Sequence, residues 1–303
     1  MKILVTGSSG FLGKSLVKEL KKKHSVKEFD LVFGNNILEK KECEKAAKGI
    51  DIIVHMAAVL DEGSALLYKV NVEGTKNILE AGAKARIKQF VFLSTVGVHG
   101  KLKKEISEES SIAPETAYEK SKAQAEKLVF ESQEMLPITI IRPALVMGAN
   151  NYWKSIVKFL KKDFPLPGKG NNIFQTVFID DLVSAIVFLI NNPNAMGETF
   201  IVAQKEKPSL RQVCELFRKE LGLKQECKTM PFWIAKALAY VNLVKNKITG
   251  KKSLLEPSYI SRLQHERNYS TKKIEGLGWK AKYSTLEAVK KTAKNTGDEN
   301  EKN

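Results

Sequence analysis

The first twenty residues constrain the fold more than any other segment of the chain. Lys2 to Thr6 is a short apolar, β-branched run that ends at the turn Gly7-Ser8-Ser9-Gly10-Phe11-Leu12-Gly13, after which Leu16 and Leu20 continue a helical spacing. Glycine suits this turn because the backbone must approach a pyrophosphate closely and the helix must pack tightly on its strand. Strand, glycine turn and helix in this order predict an α/β fold, a Rossmann-type doubly wound parallel sheet that binds a dinucleotide. The residues predicted to hold the cofactor here are Gly7, Ser9, Gly10, Phe11, Leu12 and Gly13.

Asp30 indicates which dinucleotide binds. It ends Ser25 to Asp30, the predicted second strand, about twenty positions after the glycines. A carboxylate there accepts hydrogen bonds from the ribose hydroxyls and repels a 2′-phosphate. The position predicts NAD, while Lys27 nearby leaves NADP as the open alternative.

Tyr118 and Lys122 lie four residues apart in a segment that is typical of a helix, so one helical turn brings the amine beside the phenol. A fixed cation favours the phenolate and lowers a phenol pKa of roughly 10. The pair therefore predicts proton transfer at a hydroxyl or carbonyl. By itself such a pair is more often a surface aromatic beside a solvated amine, so its meaning depends on the rest of the chain.

Composition narrows the class of protein. The 303 residues are enough for one large domain with an added lobe, and 43% hydrophobic with 28% charged residues is typical of globular proteins. No apolar run reaches the roughly eighteen residues of a membrane span and no signal peptide is evident, so we expect a cytoplasmic protein without an integral span. The net charge of +16 comes from scattered lysines, which favours anionic small molecules over nucleic acid. Three cysteines without metal-ligand spacing predict reduced thiols and no metal site.

Several segments resemble one known family. The spacing Thr-Gly-x-x-Gly-Phe-x-Gly resembles the short-chain dehydrogenase/reductase superfamily, and more narrowly its extended branch, the NAD-dependent epimerase/dehydratase family. The resemblance covers nearly all of residues 1–203, and its matching segments occur in the family's order. They are Asp51 to Ala58 as the fourth strand with its His-x-Ala-Ala end, Asn71 to Thr75, Phe90 to Gly100 with the fifth strand, Ile138 to Gly148 with the sixth strand and its Arg-Pro turn, and Val177 to Asp181.

The resemblance implies roles for particular residues. Tyr118 takes or returns the hydroxyl proton, Lys122 depresses its pKa and bonds the nicotinamide ribose, Thr95 donates to the reacting oxygen, and Asn71 supports this geometry. Further cofactor-binding residues that it implies are Asn36, Ile37, Met56, Ala57, Ala58 and Pro143, together with Tyr118 and Lys122.

The chain departs from the family pattern in a few places. Few residues separate Asp30 from Asn36, so the second crossover is almost absent, and Asn36 replaces an Asp near the adenine. His99 replaces a Tyr and either faces the substrate or caps a strand. Val96-Gly97 stand where dehydratases carry an acidic pair, which makes dehydration the least favoured chemistry.

The expected domains are an NAD-binding Rossmann domain at 1–149 and 173–204, a smaller C-terminal substrate-binding lobe at 150–172 and 205–294, and a polar tail at 295–303. Within the lobe, Pro165 to Gly168 indicates a turn, and two capping boxes, Ser209 with Gln212 and Ser284 with Glu287, predict helix starts. The apolar stretch Pro231 to Val241 is a helix packed on its own domain, the lining of a hydrophobic pocket, or a membrane-contacting surface.

The favoured function is an NAD-dependent epimerase or oxidoreductase that transfers a hydride between the nicotinamide and a secondary hydroxyl or carbonyl of a nucleotide sugar. Two alternatives remain: a 3β-hydroxysteroid-dehydrogenase-like enzyme acting on an apolar alcohol, and a non-catalytic NAD(P)-sensing Rossmann protein. The only partners expected are a small-molecule substrate and, from the resemblance, a second copy of the chain in a homodimer.

Overall fold

The computed structural model describes residues 1–101, 104–249 and 257–297. The strands are β1 (Lys2–Thr6), β2 (Ser25–Phe29), β3 (Ile52–His55), β4 (Gln89–Leu93), β5 (Ile138–Pro143), β6 (Leu145–Met147), β7 (Leu166–Pro167), β8 (Thr176–Phe178), β9 (Glu198–Val202) and β10 (Thr229–Met230). The helices are α1 (Phe11–Leu20), α2 (Lys40–Ala47), α3 (Thr75–Ala85), α4 (Ala117–Glu131), α5 (Asn151–Lys161), α6 (Ile179–Leu189), α7 (Leu210–Glu220), α8 (Phe232–Thr249), α9 (Pro257–Arg262), α10 (Lys272–Gly276) and α11 (Thr285–Gly297).

Six parallel strands form the central sheet in the order β2-β1-β3-β4-β5-β9. The chain runs outward from β1 to β2, and then returns to the other side of β1 to build β3, β4 and β5. The strand order therefore reverses between β1 and β3, and a crevice opens there at the carboxyl ends of the strands. This topology confirms the predicted doubly wound Rossmann fold.

Helices cover both faces of the sheet, as the continuous apolar runs of its central strands require. On β1, Ile3 and Val5 belong to the core shared with α1 and α6, whereas Leu4 belongs to the core shared with α2, α3 and α4. Four consecutive residues of β3, Ile52–His55, are fully buried. Such unbroken burial is typical of a strand at the centre of a parallel sheet.

The segment between Asp30 and Asn36 is short, as the sequence predicts, but the crossover from β2 to β3 is not almost absent, because it spans residues 30–51 and contains a helix. A single 3₁₀ turn, Leu31–Phe33, follows Asp30, and α2 is the next element before β3. The crossover therefore keeps a helix, and among the described residues no strand lies beyond β2 at that edge of the sheet. The strands that the resemblance numbers fourth, fifth and sixth are consequently β3, β4 and β5 of this chain.

The C-terminal lobe is built on α5, α7 and α11, which pack on one another. Its core is continuous with one face of the sheet, since Trp153 and Phe217 belong to the same buried cluster as Ile3. Residues 295–297 extend α11 into the segment expected to be a polar tail, because Thr296 is buried and its hydroxyl donates to the carbonyl of Thr292. The rest of that tail lies outside the described residues, and the division into two domains stays a prediction.

Local turn chemistry agrees with the sequence at two of three places. Ser209 with Gln212 and Ser284 with Glu287 form the predicted capping boxes. The predicted turn at Pro165 to Gly168 is different, because Leu166–Pro167 forms a short strand that pairs with β10. In the part of the chain that the structure describes, no helix has the length and apolar character needed to cross a bilayer.

Candidate active site

The glycine turn lies against the end of β3. Gly7 has φ +70°, and a Cβ placed on it would stand 2.8 Å from the backbone nitrogen of Ala57. A Cβ on Gly13 would stand 2.2 Å from the carbonyl oxygen of Gly7. Position 7 therefore requires glycine both for its left-handed backbone and for the close approach of two strand ends, while position 13 requires it for tight packing of α1 on the turn.

The amino end of α1 has the features of a phosphate site. The N-cap residue is Gly10, which is exposed and has no side chain, so no side chain caps the first-turn N–H groups. One oxygen of Asp30 accepts from the backbone N–H of Ser9 at 3.0 Å, and the other accepts from Val32 at 3.2 Å. An open helix N-terminus with a carboxylate fixed beside it fits the pyrophosphate and ribose of a dinucleotide.

The other residues implied to bind cofactor differ in exposure. Met56, Ala57 and Ala58 are half-buried at the end of β3, and Pro143 is buried at the end of β5. Asn36 is half-buried, and its side-chain oxygen already accepts from the N–H of Leu38. Ile37 is buried in the core, where a Cβ on Gly74 would meet its side chain at 2.7 Å. Only the backbone of Ile37 is therefore placed to contact a bound cofactor.

A buried chain of hydrogen bonds connects the glycine turn to Asn71. The hydroxyl of Thr75 donates to the Asn71 carbonyl at 2.6 Å, so it accepts from Nε2 of His55 at 2.8 Å. Nδ1 of His55 then accepts from the Thr6 hydroxyl at 2.6 Å, and Thr6 in turn accepts from the N–H of Ala57. Burial lowers the pKa of His55 well below its usual value, with the positive Lys122 adding to the effect. His55 is accordingly a neutral imidazole with its proton on Nε2.

Asn71 connects the helical segment that precedes α3 to α4, the helix that carries Tyr118 and Lys122 and is called the catalytic helix below. It lies in the π-helical segment Lys69–Gly74, a type of segment that is frequent at functional sites. Its amide exchanges two hydrogen bonds with the backbone of Val59 and donates to the Ser121 hydroxyl on α4 at 2.8 Å. Asn71 is completely buried, so it positions α4 and contacts the crevice only through the residues it orients.

Ser94 and Thr95, at the end of β4, face opposite ways. The Ser94 hydroxyl is buried and donates to the Glu126 carboxylate at 2.5 Å. Thr95 is half-buried, and its hydroxyl oxygen accepts from the N–H of Gly97 at 3.1 Å, which leaves the hydroxyl proton free to be donated. Of the two neighbours, Thr95 is therefore the one whose hydroxyl proton is available, and its role as donor to a reacting oxygen stays a prediction.

Tyr118 lies in the first turn of α4, which begins with a capping box between Thr116 and Glu119. The sequence predicts a lowered phenol pKa, and this prediction is wrong for the protein without cofactor. Burial raises the pKa of Tyr118 to about 12, and the adjacent Glu119 carboxylate raises it further. The guanidinium of Arg262 acts in the opposite direction but does not offset them.

The state of Lys122 explains why the pKa of the Tyr118 phenol is raised although the sequence predicts a lowered one. It is 2% exposed, and its ammonium lies 4.1 Å from the centroid of the Phe92 ring. Burial lowers the pKa of Lys122 to about 7, although the Glu126 carboxylate one helical turn away favours the charged form. At neutral pH about half of the amine is therefore uncharged. An amine that is only about half protonated and that contacts the Phe92 ring does not lower the pKa of the Tyr118 phenol.

A buried ion pair lies behind Lys122. Arg142 donates through two nitrogens to Glu126, and both side chains are less than a tenth exposed. Arg142 also donates to Nε2 of His99 at 3.1 Å, so Nδ1 of His99 donates to the carbonyl of Ser111. His99 is completely buried, and burial next to Arg142 lowers its pKa. It is therefore a structural residue that does not face the substrate.

Sequence reasoning missed Glu126 and Arg262. Glu126 lies four residues after Lys122, so the same helical spacing that links Tyr118 to Lys122 would have found it. Arg262, at the end of α9, donates to the Glu119 carboxylate and to the Thr116 hydroxyl. Nothing in the linear sequence indicates this contact, because 143 residues separate Arg262 from Glu119.

The chain is similar to enzymes that act on sugars. A sequence model of the NAD-dependent epimerase/dehydratase family matches residues 3–203. The UDP-glucose 4-epimerase of Vibrio cholerae is 29% identical, over 96% of this chain and 94% of the relative. An Escherichia coli O157:H7 enzyme, N-acetyl-α-D-glucosaminyl-diphospho-ditrans,octacis-undecaprenol 4-epimerase, is 26% identical, over 96% of this chain and 93% of that enzyme.

Among solved structures, UDP-glucuronic acid 4-epimerase from Bacillus cereus, in complex with UDP-glucuronic acid and NAD, superposes with a TM-score of 0.78. The two chains are 21% identical, and the match covers 98% of this chain and 99% of that one. At this identity the likeness shows the fold. Together with the family match, it confirms the resemblance recognised in the sequence motifs and the assignment to an NAD-dependent family of enzymes.

Proposed function

Because the chain belongs to the NAD-dependent epimerase/dehydratase family, we propose that it binds NAD and transfers a hydride between the nicotinamide and a secondary hydroxyl or carbonyl of a nucleotide-linked sugar. One observation carries the proposal. The glycine turn with Asp30, Thr95 after β4, and the Tyr118–Lys122 helix all lie at the carboxyl end of the parallel sheet, where its strand order reverses.

The chain supplies the binding and orienting groups. The α1 N-terminus would hold the pyrophosphate, and Asp30 would accept from the adenosine ribose. Bound NAD supplies the hydride acceptor and, when oxidised, a positive ring charge that favours a nearby phenolate. Lys122 would donate to ribose hydroxyls, and those contacts would replace its present contact with the Phe92 ring.

Tyr118 would exchange the proton of the reacting hydroxyl, and Thr95 would donate a hydrogen bond to the same oxygen. With a pKa of about 12, the Tyr118 phenol of the free protein is a proton donor. Its action as a base requires a lower pKa, so base catalysis is expected only once cofactor is bound. Asn71 and His55 hold the elements that carry these groups and are positioning residues.

Epimerisation or simple redox chemistry is favoured over dehydration. Val96 and Gly97 follow Thr95, and Glu119 lies against Gly97 so closely that a Cβ there would be 2.9 Å from its side chain. No acid–base pair is therefore available at these positions to remove water. A diphosphate-linked substrate is supported by Arg262, a cation of the C-terminal lobe that contacts the catalytic helix.

A second candidate substrate carries an apolar group, and a specific cavity favours it. About 100 Å³ of apolar space lies in the C-terminal lobe, lined by α5 and α7 and by Phe174 and Leu263. Leu263 follows Arg262, which reaches the catalytic helix. A cavity of this size suits a short length of hydrocarbon chain better than a fused-ring sterol. The E. coli relative named above acts on a sugar joined to a polyprenyl diphosphate.

Turnover assays separate these candidates. Purified protein with NAD is offered UDP-, GDP- and dTDP-linked sugars, a polyprenyl-diphosphate-linked sugar, and sterol alcohols. The proposal predicts turnover of at least one sugar diphosphate, and NAD that stays bound through purification supports epimerisation, since that cycle returns the cofactor unchanged. Turnover of sterols alone would contradict it, and NAD binding without any turnover would favour a sensing role.

The homodimer expected from the resemblance remains a prediction. A groove between α3 and α4, lined in part by Leu79, Ala83, Leu128 and Met135, is the surface that would carry it. Light scattering coupled to size-exclusion chromatography tests it.

A further inference from the structure

Helix α8 turns bulky apolar side chains outward. Trp233, Tyr240 and Val241 are 71%, 53% and 69% exposed. Their spacing of seven and eight residues puts all three on one side of the helix, with Ala237 between them. The outward side of a surface helix is ordinarily polar, so this apolar stripe is unusual for a face in contact with water.

The opposite side of α8 attaches the helix to the protein through small residues. Ala235 and Ala239 are buried and pack against Ile260 of α9. The two alanines therefore face the core, and Trp233 and Tyr240 face outward. Since Trp233 and Tyr240 add little to the core, their exposure has no explanation in the stability of this chain.

The charge around the stripe identifies what it would bind. The 29 residues from Cys227 to Leu255 contain no Asp or Glu and contain six lysines, namely Lys228, Lys236, Lys245, Lys247, Lys251 and Lys252. Exposed Trp and Tyr prefer the boundary between lipid headgroups and acyl chains, and lysines beside them attract anionic headgroups. A protein partner would need an acidic apolar surface to match both properties, whereas an anionic bilayer has them throughout.

We propose that the outward face of α8 binds the surface of an anionic membrane. Trp233, Tyr240 and Val241 insert among the headgroups, and Lys236, one helical turn after Trp233, lies near the lipid phosphates. The helix packs on α9, whose last residue, Arg262, contacts Glu119 of the catalytic helix. The outward residues of α8 are not among those that form the proposed active site, so membrane binding does not require the proposed reaction.

The fluorescence of Trp233 reports directly on vesicle binding. The chain has three tryptophans, and the other two, Trp153 and Trp279, are 1% and 6% exposed. The full-length protein is mixed with vesicles of phosphatidylcholine alone or with about a quarter phosphatidylglycerol, a composition that tests the anionic requirement. We expect cosedimentation and a blue shift of fluorescence with the anionic vesicles, both weakened by salt. The variant Trp233→Phe should lose the blue shift and keep cosedimentation.

The decisive variant is Trp233→Ser combined with Val241→Asp, which should weaken vesicle binding at least about tenfold while circular dichroism and NAD affinity stay unchanged. Val241→Asp alone serves as a milder second variant. Leu286→Ser is the matched control, because Leu286 is 44% exposed on α11, away from both α8 and the proposed dimer groove, and it should bind vesicles normally. Absence of binding to anionic vesicles, equal binding by the double variant, or a dimer that the double variant dissociates without any lipid binding would each overturn the proposal.

Discussion

Replacing Lys122 with methionine is expected to stabilise the cofactor-free protein. The pKa of Lys122 falls from 10.5 to about 7 because the amine is buried. Each pKa unit corresponds to about 1.4 kcal/mol, so burial of this amine costs about 4 kcal/mol at pH 7. Methionine has a similar shape and no charge, but it loses the contact of the ammonium with Phe92, worth about 1 to 2 kcal/mol. We therefore expect a net gain of about 2 to 3 kcal/mol.

The pH dependence of the free energy of unfolding distinguishes removal of the buried amine from an improvement in packing as the cause of the gain. Between pH 7 and 10.5 the unfolded chain binds more protons at Lys122 than the folded protein does, so the free energy of unfolding rises with pH in that window. Lys122→Met removes this dependence. Its advantage over the natural protein should shrink by about 2 kcal/mol between pH 7 and pH 9.

Urea unfolding of cofactor-free protein at pH 7, 8 and 9 measures both effects. Lys120→Met is the matched control, since Lys120 is exposed on the same helix, and it should change the free energy of unfolding by less than about 0.5 kcal/mol. If Lys122→Met is destabilising at pH 7, or if its curve runs parallel to that of the natural protein, the amine is not held in an apolar site and the reasoning is refuted.

Three further substitutions test other parts of the site. Asp30→Ala should narrow the preference for NAD over NADP, and an unchanged ratio of the two affinities would remove Asp30 from cofactor selection. Gly7→Ala should cost at least about 2 kcal/mol of stability and weaken NAD binding, because it combines positive φ with a backbone clash; calorimetry and NAD titration measure both. His55→Leu should cost about 2 to 4 kcal/mol in chemical unfolding, because the hydroxyls of Thr6 and Thr75 lose a buried partner. A near-neutral result there would show that water or rearrangement replaces the imidazole.

Local signals in the sequence were enough for the fold. The glycine turn, the helix with Tyr118 and the capping boxes are each decided by neighbours within a few residues, and parallel strands bring their carboxyl ends together. The turn predicted at Pro165 failed because its backbone pairs with Thr229–Met230, more than sixty residues later. Pairing over that distance leaves no trace in a short window of sequence.

The pKa values of the site were not predictable in the same way. Spacing correctly placed Lys122 one turn from Tyr118, but charge depends on burial, and burial depends on the whole fold. Phe92 from β4 contacts the Lys122 amine, with the Glu126–Arg142 pair behind it. Glu119 and Arg262, which are paired with each other, act on the pKa of Tyr118. These contacts join elements that are distant along the chain. The same holds for His99, whose buried partners only the assembled structure reveals.

The most direct test of the proposed chemistry is Tyr118→Phe, assayed for turnover of the sugar diphosphate found in the substrate panel and for NAD affinity by titration. Removing one hydroxyl should lower kcat by about a thousandfold, while the NAD dissociation constant changes by less than about threefold. Turnover within tenfold of the natural protein would contradict the account, because another group would then be carrying the proton.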